Sequence, residues 1–124
     1  MNKQVFAPGA PDAVGPYSHA IDCGGTVYLS GQVPLVPETG AMAEGGIEAQ
    51  ARQMFANIRA VLDACGLTFE NVVKTTVFMT DLKDFNTFND IYAEYFPQKP
   101  ARSCVQVAAL PKGALVECEC VCVR

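Results

Sequence analysis

Residues 72–80 read VVKTTVFMT, and residues 84–96 carry aromatic and aliphatic side chains on one helical stripe. The β-branched residues of the first segment favour a strand. The helical spacing of apolar residues in the second segment predicts an amphipathic helix, which Pro97 ends because proline cannot continue the hydrogen-bonding pattern. A strand followed closely by an amphipathic helix is typical of a sheet that is covered by helices.

The rest of the chain extends this pattern in both directions. Apolar residues at helical spacing predict a first helix over 47–65, with Gly66 as its stop. The remaining predicted strands span residues 2–6, 17–23, 26–30, 101–108 and 114–123. We therefore predict a single α+β domain over residues 1–124, in the order β-β-β-α-β-α-β-β. Its mixed sheet carries two helices on one face.

The strand at 72–80 is apolar on both of its faces. Val72 and Phe78 have one parity, whereas Val73, Val77 and Met79 have the other. A sheet with one solvated face should be polar at alternate positions. Since two helices can cover only one face, we expect the second face to meet another subunit.

Composition excludes several classes of protein. The chain has 124 residues, of which 50% are hydrophobic and 18% charged, and this composition excludes intrinsic disorder. A net charge of −4 argues against nucleic acid as a partner, because such proteins need clustered positive charge. No apolar run approaches about 18 residues, so no membrane span is predicted. Residues 1–5 lack an apolar secretory core, and we expect a cytoplasmic protein.

The cysteines predict core thiols rather than a metal site or disulfides. Six are present, and Cys118, Cys120 and Cys122 alternate along one predicted strand. Alternate residues of a strand stand side by side on one face, a poor geometry for disulfide formation. Zinc needs a second pair of ligands, and His19 is the only histidine.

The last two strands hold the main candidate for a functional site. Interpreted as a hairpin, they place Arg102, Cys104, Glu117 and Glu119 on the face away from the helices. One allowed register sets Cys104 opposite Glu117. An arginine and a carboxylate would then lie close together on a face buried between subunits. Spacing alone leaves two interpretations open, a functional pair and a cross-strand ion pair that stabilises an oligomer.

Other signals are weaker. Ser30 and Gly31 end a predicted strand and could form either an anion site or a simple turn. His19 lacks a partner at catalytic spacing, which favours a hydrogen-bonding or surface role. Spacing does not decide whether Tyr17 and Asn89 serve packing or function. The sequence contains neither nucleotide-binding nor metalloprotease motifs.

Several ordered blocks resemble the RidA-type reactive intermediate deaminase family, also called the YjgF family. The likeness covers essentially the whole chain, and its most specific block is Pro100-Ala101-Arg102-Ser103-Cys104-Val105, followed by Glu117. The other blocks are Gly15-Pro16-Tyr17-Ser18, Leu29-Ser30-Gly31-Gln32, Gln50-Ala51-Arg52-Gln53, Val73-Lys74-Thr75-Thr76-Val77-Phe78, Phe88-Asn89-Asp90-Ile91-Tyr92 and Leu110-Pro111-Lys112-Gly113.

The resemblance implies a chorismate-mutase-like fold and a homotrimer, in which three sheets form a central β-barrel with helices outside. It implies clefts at the subunit boundaries, each lined by two neighbours. The implied activity is hydrolysis of reactive 2-imino acids, the tautomers of enamines such as 2-aminoacrylate, to 2-keto acids and ammonia. These imines are released by pyridoxal-phosphate-dependent dehydratases, whereas the deaminase itself needs no cofactor.

The resemblance also implies residue roles. Arg102 matches the arginine that binds the substrate carboxylate, a task suited to a guanidinium that forms two parallel hydrogen bonds. Glu117 matches the carboxylate that deprotonates the attacking water. Cys104 matches a main-chain contact to the imine nitrogen, so its thiol is not expected to be a nucleophile. The other matched positions around the cleft are Tyr17, Ser30, Gly31 and Asn89.

The sequence departs from the family pattern in two places. Lys99 stands where the family commonly has an aromatic residue, and it adds positive charge near the expected anion site. Cys118, Cys120 and Cys122 replace residues that are usually aliphatic. Because these thiols are expected to face the helices, we predict altered packing and oxidation sensitivity rather than altered chemistry.

Two other functions compete with the deaminase. Some members of the family carry ribonuclease or translation-inhibitor labels, but the acidic composition and single histidine argue against phosphodiester cleavage. A trimer that binds small carboxylates without turnover is the other alternative. Arg102 alone would serve such binding, whereas Glu117 is the residue that adds turnover.

Overall fold

In the computed structural model, which describes residues 2–124, the strands and helices follow the predicted order. They are β1 (Lys3–Val5), β2 (Ala20–Asp22), β3 (Thr26–Gln32), α1 (Gly46–Ala64), β4 (Val72–Met79), α2 (Phe85–Tyr95), β5 (Ala101–Gln106) and β6 (Val116–Val123). Short 3-10 turns at Phe69–Asn71, Leu82–Asp84 and Pro111–Gly113 join them. The predicted α+β class is confirmed. None of the helices in this part of the chain is both long and apolar enough to cross a membrane.

All six strands form one mixed sheet, in the order β1-β2-β3-β6-β4-β5. Only β4 and β5 run parallel. The predicted hairpin of the last two strands is therefore wrong, because β4 lies between β5 and β6. Parallel neighbours need a crossover connection, and α2 supplies it between β4 and β5. The apolar residues on both faces of β4 suit this position inside the sheet.

This topology corrects the predicted faces. Thr75 on β4 pairs with Arg102 on one side and with Cys120 on the other, so all three lie on one face. Cys120 is buried beneath the helices, which places Arg102 and Cys104 on the helix side. Glu117 has the opposite parity in β6 and lies on the open face. The prediction that Arg102 and Cys104 share a face with Glu117 is therefore wrong.

Both helices pack on the same face of the sheet, around an aromatic centre. The Phe55 ring of α1 lies 4.3 Å from that of Tyr95 and 5.9 Å from that of Phe88, both in α2. At the end of α1, Gly66 has a φ of 71° and the Leu67 amide donates to the Leu62 carbonyl. This is the glycine-dependent stop that the sequence predicts.

Most of the cysteines are core thiols, as predicted. Cys65, Cys118, Cys120 and Cys122 are buried and unbonded, whereas Cys23 is exposed in the turn after β2. Burial raises the pKa of the Cys122 thiol to about 12. Since the thiolate is the reactive form, burial and raised pKa values make the Cys65, Cys120 and Cys122 thiols less reactive in the folded protein. The oxidation sensitivity expected from the sequence stays a prediction.

The open face of the sheet carries exposed apolar side chains. Tyr28 is 51% exposed, and Val105 and Val123 are each 44% exposed. Tyr28 pairs with Val121 of β6, so aliphatic and aromatic groups adjoin on this face. The predicted apolar character of the second face is confirmed for the single chain.

Candidate functional site

A cavity of about 390 Å³ opens beside the carboxylate of Glu117. We call it the Glu117 pocket, and its polar lining consists chiefly of Asp12, Tyr17, Ser30, Gly31, Lys112, Glu117 and Glu119. Four predicted site residues, Tyr17, Ser30, Gly31 and Glu117, thus come together here. They belong to the segment before β2, to β3 and to β6.

A β-bulge shapes the wall of the Glu117 pocket. Leu29 pairs with Cys120 and Gln32 with Cys118, so β3 contains one extra residue between these pairs. Such bulges are common next to active sites because they redirect side chains. The Ser30 hydroxyl donates to the Ser18 carbonyl at 2.6 Å and ties the bulge to the preceding segment.

The bulge brings the backbone of Gly31 directly against Glu117. A Cβ atom built on Gly31 would overlap Oε2 of Glu117 and would lie 2.9 Å from its Cδ. Any larger residue must displace the carboxylate or the strand. The absence of a side chain at Gly31 therefore allows the Glu117 carboxylate to occupy this position.

The carboxyl group of Glu117 is half-buried and has a raised pKa. Burial raises the pKa of its carboxyl group, and the charge of Glu119 raises that pKa further. Neither glutamate joins an ion pair with another of residues 2–124. A carboxylate whose pKa is raised toward neutrality is a stronger base and remains able to accept a proton.

A second cavity, of about 450 Å³, lies on the helix side near α2. We call it the Arg102 pocket, and its lining includes Asn89, Tyr92, Phe96, Lys99 and Arg102. The Arg102 guanidinium carbon lies 4.7 Å from the ring centre of Tyr92 and 5.6 Å from that of Phe85. Cation–π contacts therefore position the guanidinium. None of the ion pairs among residues 2–124 includes Arg102, so its donors remain available to an anion.

Asn89 adds an unused acceptor to the Arg102 pocket. Its Oδ1 atom is buried and has no hydrogen-bond partner within the described chain. A buried polar atom without a partner costs about 1–3 kcal/mol. The residue lines the pocket, but the Oδ1 atom itself is covered by the chain, so a binding role for Asn89 stays a prediction.

The predicted site residues thus divide between two pockets of one chain. Arg102 and Asn89 line one pocket, whereas Glu117 and its neighbours line the other. Cys104 lines neither; burial raises the pKa of its partly covered thiol, which does not favour a nucleophilic role. Sequence reasoning missed Asp12 and Lys112, which only the fold brings beside Glu117.

His19 has the hydrogen-bonding role that the sequence favours. The ring is buried, its Nδ1 accepts from the Ala7 amide at 2.8 Å, and its Nε2 donates to the Pro11 carbonyl at 2.8 Å. Both ring nitrogens are occupied by the protein. The imidazole therefore fixes the segment before β2, which carries Tyr17 to the pocket.

Known proteins match the chain over nearly its full length. A profile of the family described as endoribonuclease L-PSP matches residues 8–124. The 2-iminobutanoate/2-iminopropanoate deaminase of Salmonella typhimurium is 47% identical over all of this chain and 99% of its own.

Solved structures agree with this match. A Rid-family protein from Yersinia pestis is 48% identical with a TM-score of 0.96, covering 100% of both chains. Escherichia coli TdcF with bound serine is 42% identical with a TM-score of 0.93, covering 98% of both chains. The chain therefore belongs to the endoribonuclease L-PSP family, the Rid group that its sequence motifs resemble.

Proposed function

We propose that this protein is an enzyme that hydrolyses 2-imino acids, such as 2-iminobutanoate and the imine tautomer of 2-aminoacrylate, to 2-keto acids and ammonia. Two side chains carry the proposal. Arg102 forms no ion pair within residues 2–124, and Glu117 is a half-buried carboxylate whose pKa is raised. The first suits a substrate carboxylate and the second suits activation of water. Relatives at 46–47% identity bear the name of this deaminase.

The active site is shared between two copies of the chain. The lining of the Glu117 pocket has three carboxylates and one lysine, whereas that of the Arg102 pocket has two cations and no carboxylate. These opposite charges favour contact between the Glu117 pocket of one copy and the Arg102 pocket of the next. A contact between two unlike surfaces is heterologous and can close into a ring.

We assign this ring as a homotrimer with a central β-barrel, in keeping with the family resemblance. The exposed apolar side chains of the open sheet face would then be covered inside the assembly. Sedimentation at micromolar concentration is expected to give the mass of three chains. A stable monomer would contradict both the barrel and the shared site.

In the proposed reaction, Arg102 holds the substrate carboxylate in two parallel hydrogen bonds. Glu117 of the neighbouring copy takes a proton from water as the water oxygen attacks the imine carbon. That proton is delivered to the nitrogen, which gives a carbinolamine. Glu117 then takes the hydroxyl proton and passes it to the nitrogen, so that the C–N bond breaks and ammonia leaves as the keto group forms. The family resemblance implies that the remaining contacts come from Tyr17, Ser30, Gly31, Asn89 and the main chain of Cys104, although Cys104 lines neither pocket of the single chain. No cofactor takes part in this scheme.

A coupled assay tests the function. A pyridoxal-phosphate-dependent serine or threonine dehydratase supplies the imine, and semicarbazide traps what survives. The protein is expected to accelerate keto-acid release and to reduce the trapped imine. Unchanged imine lifetime together with 2-keto acid binding would favour the non-catalytic trimer, and RNA cleavage would favour the ribonuclease. The cytoplasmic location stays a prediction from the sequence.

Gly31→Ala is expected to impair catalysis because the new methyl group must displace the Glu117 carboxylate. A displacement of about 1 Å at a catalytic group can cost about 100-fold in rate, and we expect the imine-hydrolysis rate to fall at least about tenfold. Gly25→Ala is the matched control, since no atom lies within 4 Å of its Cβ position. Equal activity of the two variants in the coupled assay would show that Gly31 does not position Glu117.

Glu119→Gln is expected to change the pH profile. The charge of Glu119 raises the pKa of Glu117, so removal of that charge should lower the pKa of Glu117. Glu117 would then stay ionised at lower pH. The acid limb of the kcat/KM profile should therefore move to lower pH. Glu70→Gln removes the same charge from an exposed site outside both pockets and should leave the profile in place. A shift to higher pH, or none, would contradict this coupling.

A further inference from the structure

Lys99 contributes a second cation to the Arg102 pocket. The residue follows α2, and its amide donates to the Phe96 carbonyl at 3.1 Å. Its side chain is exposed, and it takes part in none of the ion pairs among residues 2–124. Two unpaired cations thus line a cavity whose lining holds no carboxylate.

The backbone at this position does not favour lysine. Lys99 has a φ of 56°, in the left-handed region where glycine and asparagine are most readily accommodated. A turn that served only to connect α2 with β5 would be built more easily with either of those residues. The lysine side chain is therefore a candidate for a functional role.

The space in the pocket permits a second anionic group on the ligand. In the single chain its volume of about 450 Å³ exceeds what a three- or four-carbon imino acid occupies, and its lining has no carboxylate to repel a second anionic group. Arg102 serves one carboxylate in the proposed reaction, and Lys99 is left without a function in it.

We propose that Lys99 is a specificity-determining residue that selects 2-imino acids with a second carboxylate on the side chain. This inference rests on the proposed function and specifies its substrate class. Lys99 pairs with the distal carboxylate while Arg102 holds the one next to the imine. Water adds to the imine carbon, ammonia leaves, and the distal carboxylate is unchanged, so the product is a 2-keto dicarboxylate.

The competing role for Lys99 is an ion pair with the neighbouring copy. Asp12 and Glu119 line the Glu117 pocket, which the proposed ring places against the Arg102 pocket. A lysine used in that way would stabilise the assembly without discriminating between substrates. The two roles predict different measurements.

The test compares two imines made in the reaction vessel by D-amino acid oxidases, with catalase present to remove peroxide. 2-Iminoglutarate carries the second carboxylate, whereas the imine of methionine has an uncharged side chain of similar length. Lys99→Gln is expected to lower kcat/KM for 2-iminoglutarate roughly tenfold, because one charge-assisted contact is lost. The kcat/KM for the imine of methionine should not change.

Two further variants sharpen the comparison. Lys99→Arg keeps the charge and should keep the preference. Lys83→Gln removes a lysine that lies outside both pockets and pairs with Asp81 at 3.5 Å. This variant should leave kcat/KM unchanged for both imines.

Equal effects of Lys99→Gln on both imines would overturn the inference. A lower assembly mass with an unchanged substrate ratio would instead assign Lys99 to the subunit contact, and would equally overturn it. Should the wild-type protein hydrolyse neither imine, the proposed function itself fails. Hydrolysis of both imines at rates that do not depend on Lys99 leaves that function intact and removes only the dicarboxylate preference.

Discussion

Glu117→Gln is expected to lower imine hydrolysis by at least about 100-fold while leaving 2-keto acid binding intact. Glutamine keeps the shape and one oxygen acceptor of the side chain but cannot take a proton from water. Arg102 lies in a separate pocket and keeps its hold on the substrate carboxylate. The coupled assay measures turnover, and calorimetry with a stable 2-keto acid measures binding.

The same substitution should not weaken the fold. Burial raises the pKa of Glu117 in the folded state above its unfolded value. The folded state therefore binds the Glu117 proton more tightly than the unfolded state does. This contribution to the free energy of unfolding is present at acidic pH and is lost as the pH rises through the folded-state pKa. Within a single chain the ionised carboxylate is therefore unfavourable at neutral pH, and Glu117→Gln is expected to melt at an equal or higher temperature unless Glu117 pairs with a cation of the neighbouring copy.

Two outcomes would change the assignment of Glu117. Normal turnover by Glu117→Gln would mean that another group activates water. Loss of both binding and assembly would make Glu117 a structural ion-pair partner between subunits. Glu70→Gln, a substitution of the same type on the exposed surface, is the control for a general effect of charge.

Local patterns in the sequence predict the elements of this fold but not the pairing of its last strands. Helix spacing and Gly66 identify α1 because these signals act within a few residues. Alternation in β5 and β6 is equally compatible with a hairpin and with separation by β4, since face and register depend on the partner strand. Arg102 was consequently predicted on the wrong face, and the role that the family resemblance implies for it stays a prediction.

The candidate site, like the fold, could be predicted from the sequence only in part. Residue types and family motifs indicate Arg102 and Glu117, because a guanidinium and a carboxylate have few equivalents for this chemistry. The bulge at Ser30 and Gly31 depends on the register of β3 against β6, which no local pattern specifies. The separation of the two charges into different pockets likewise follows only from strand order.

Arg102→Ala is expected to abolish both substrate binding and turnover. A charge-assisted hydrogen bond contributes about 1.5–3 kcal/mol, so loss of a bidentate pair should lower kcat/KM by at least about 100-fold. Arg102→Lys should recover only part of the activity, because an ammonium group cannot form the two parallel bonds. Arg59→Ala is the matched control, since Arg59 also lies over an aromatic ring, 5.1 Å from the centre of Phe69, and lines neither pocket. Near-wild-type turnover by folded Arg102→Ala would remove the arginine from the mechanism.

The proposed sharing of the site between subunits allows a stronger test, because two inactive variants should restore each other. When Arg102→Ala and Glu117→Gln chains are co-expressed, some sites combine the intact Arg102 pocket of one chain with the intact Glu117 pocket of its neighbour. Random assembly of equal amounts should give about one quarter of wild-type activity. A site built within one chain would contain a defect in every copy, and the mixed protein would stay as inactive as either variant. Recovery therefore separates a site shared between subunits from a site within one subunit, without requiring knowledge of the preferred imine.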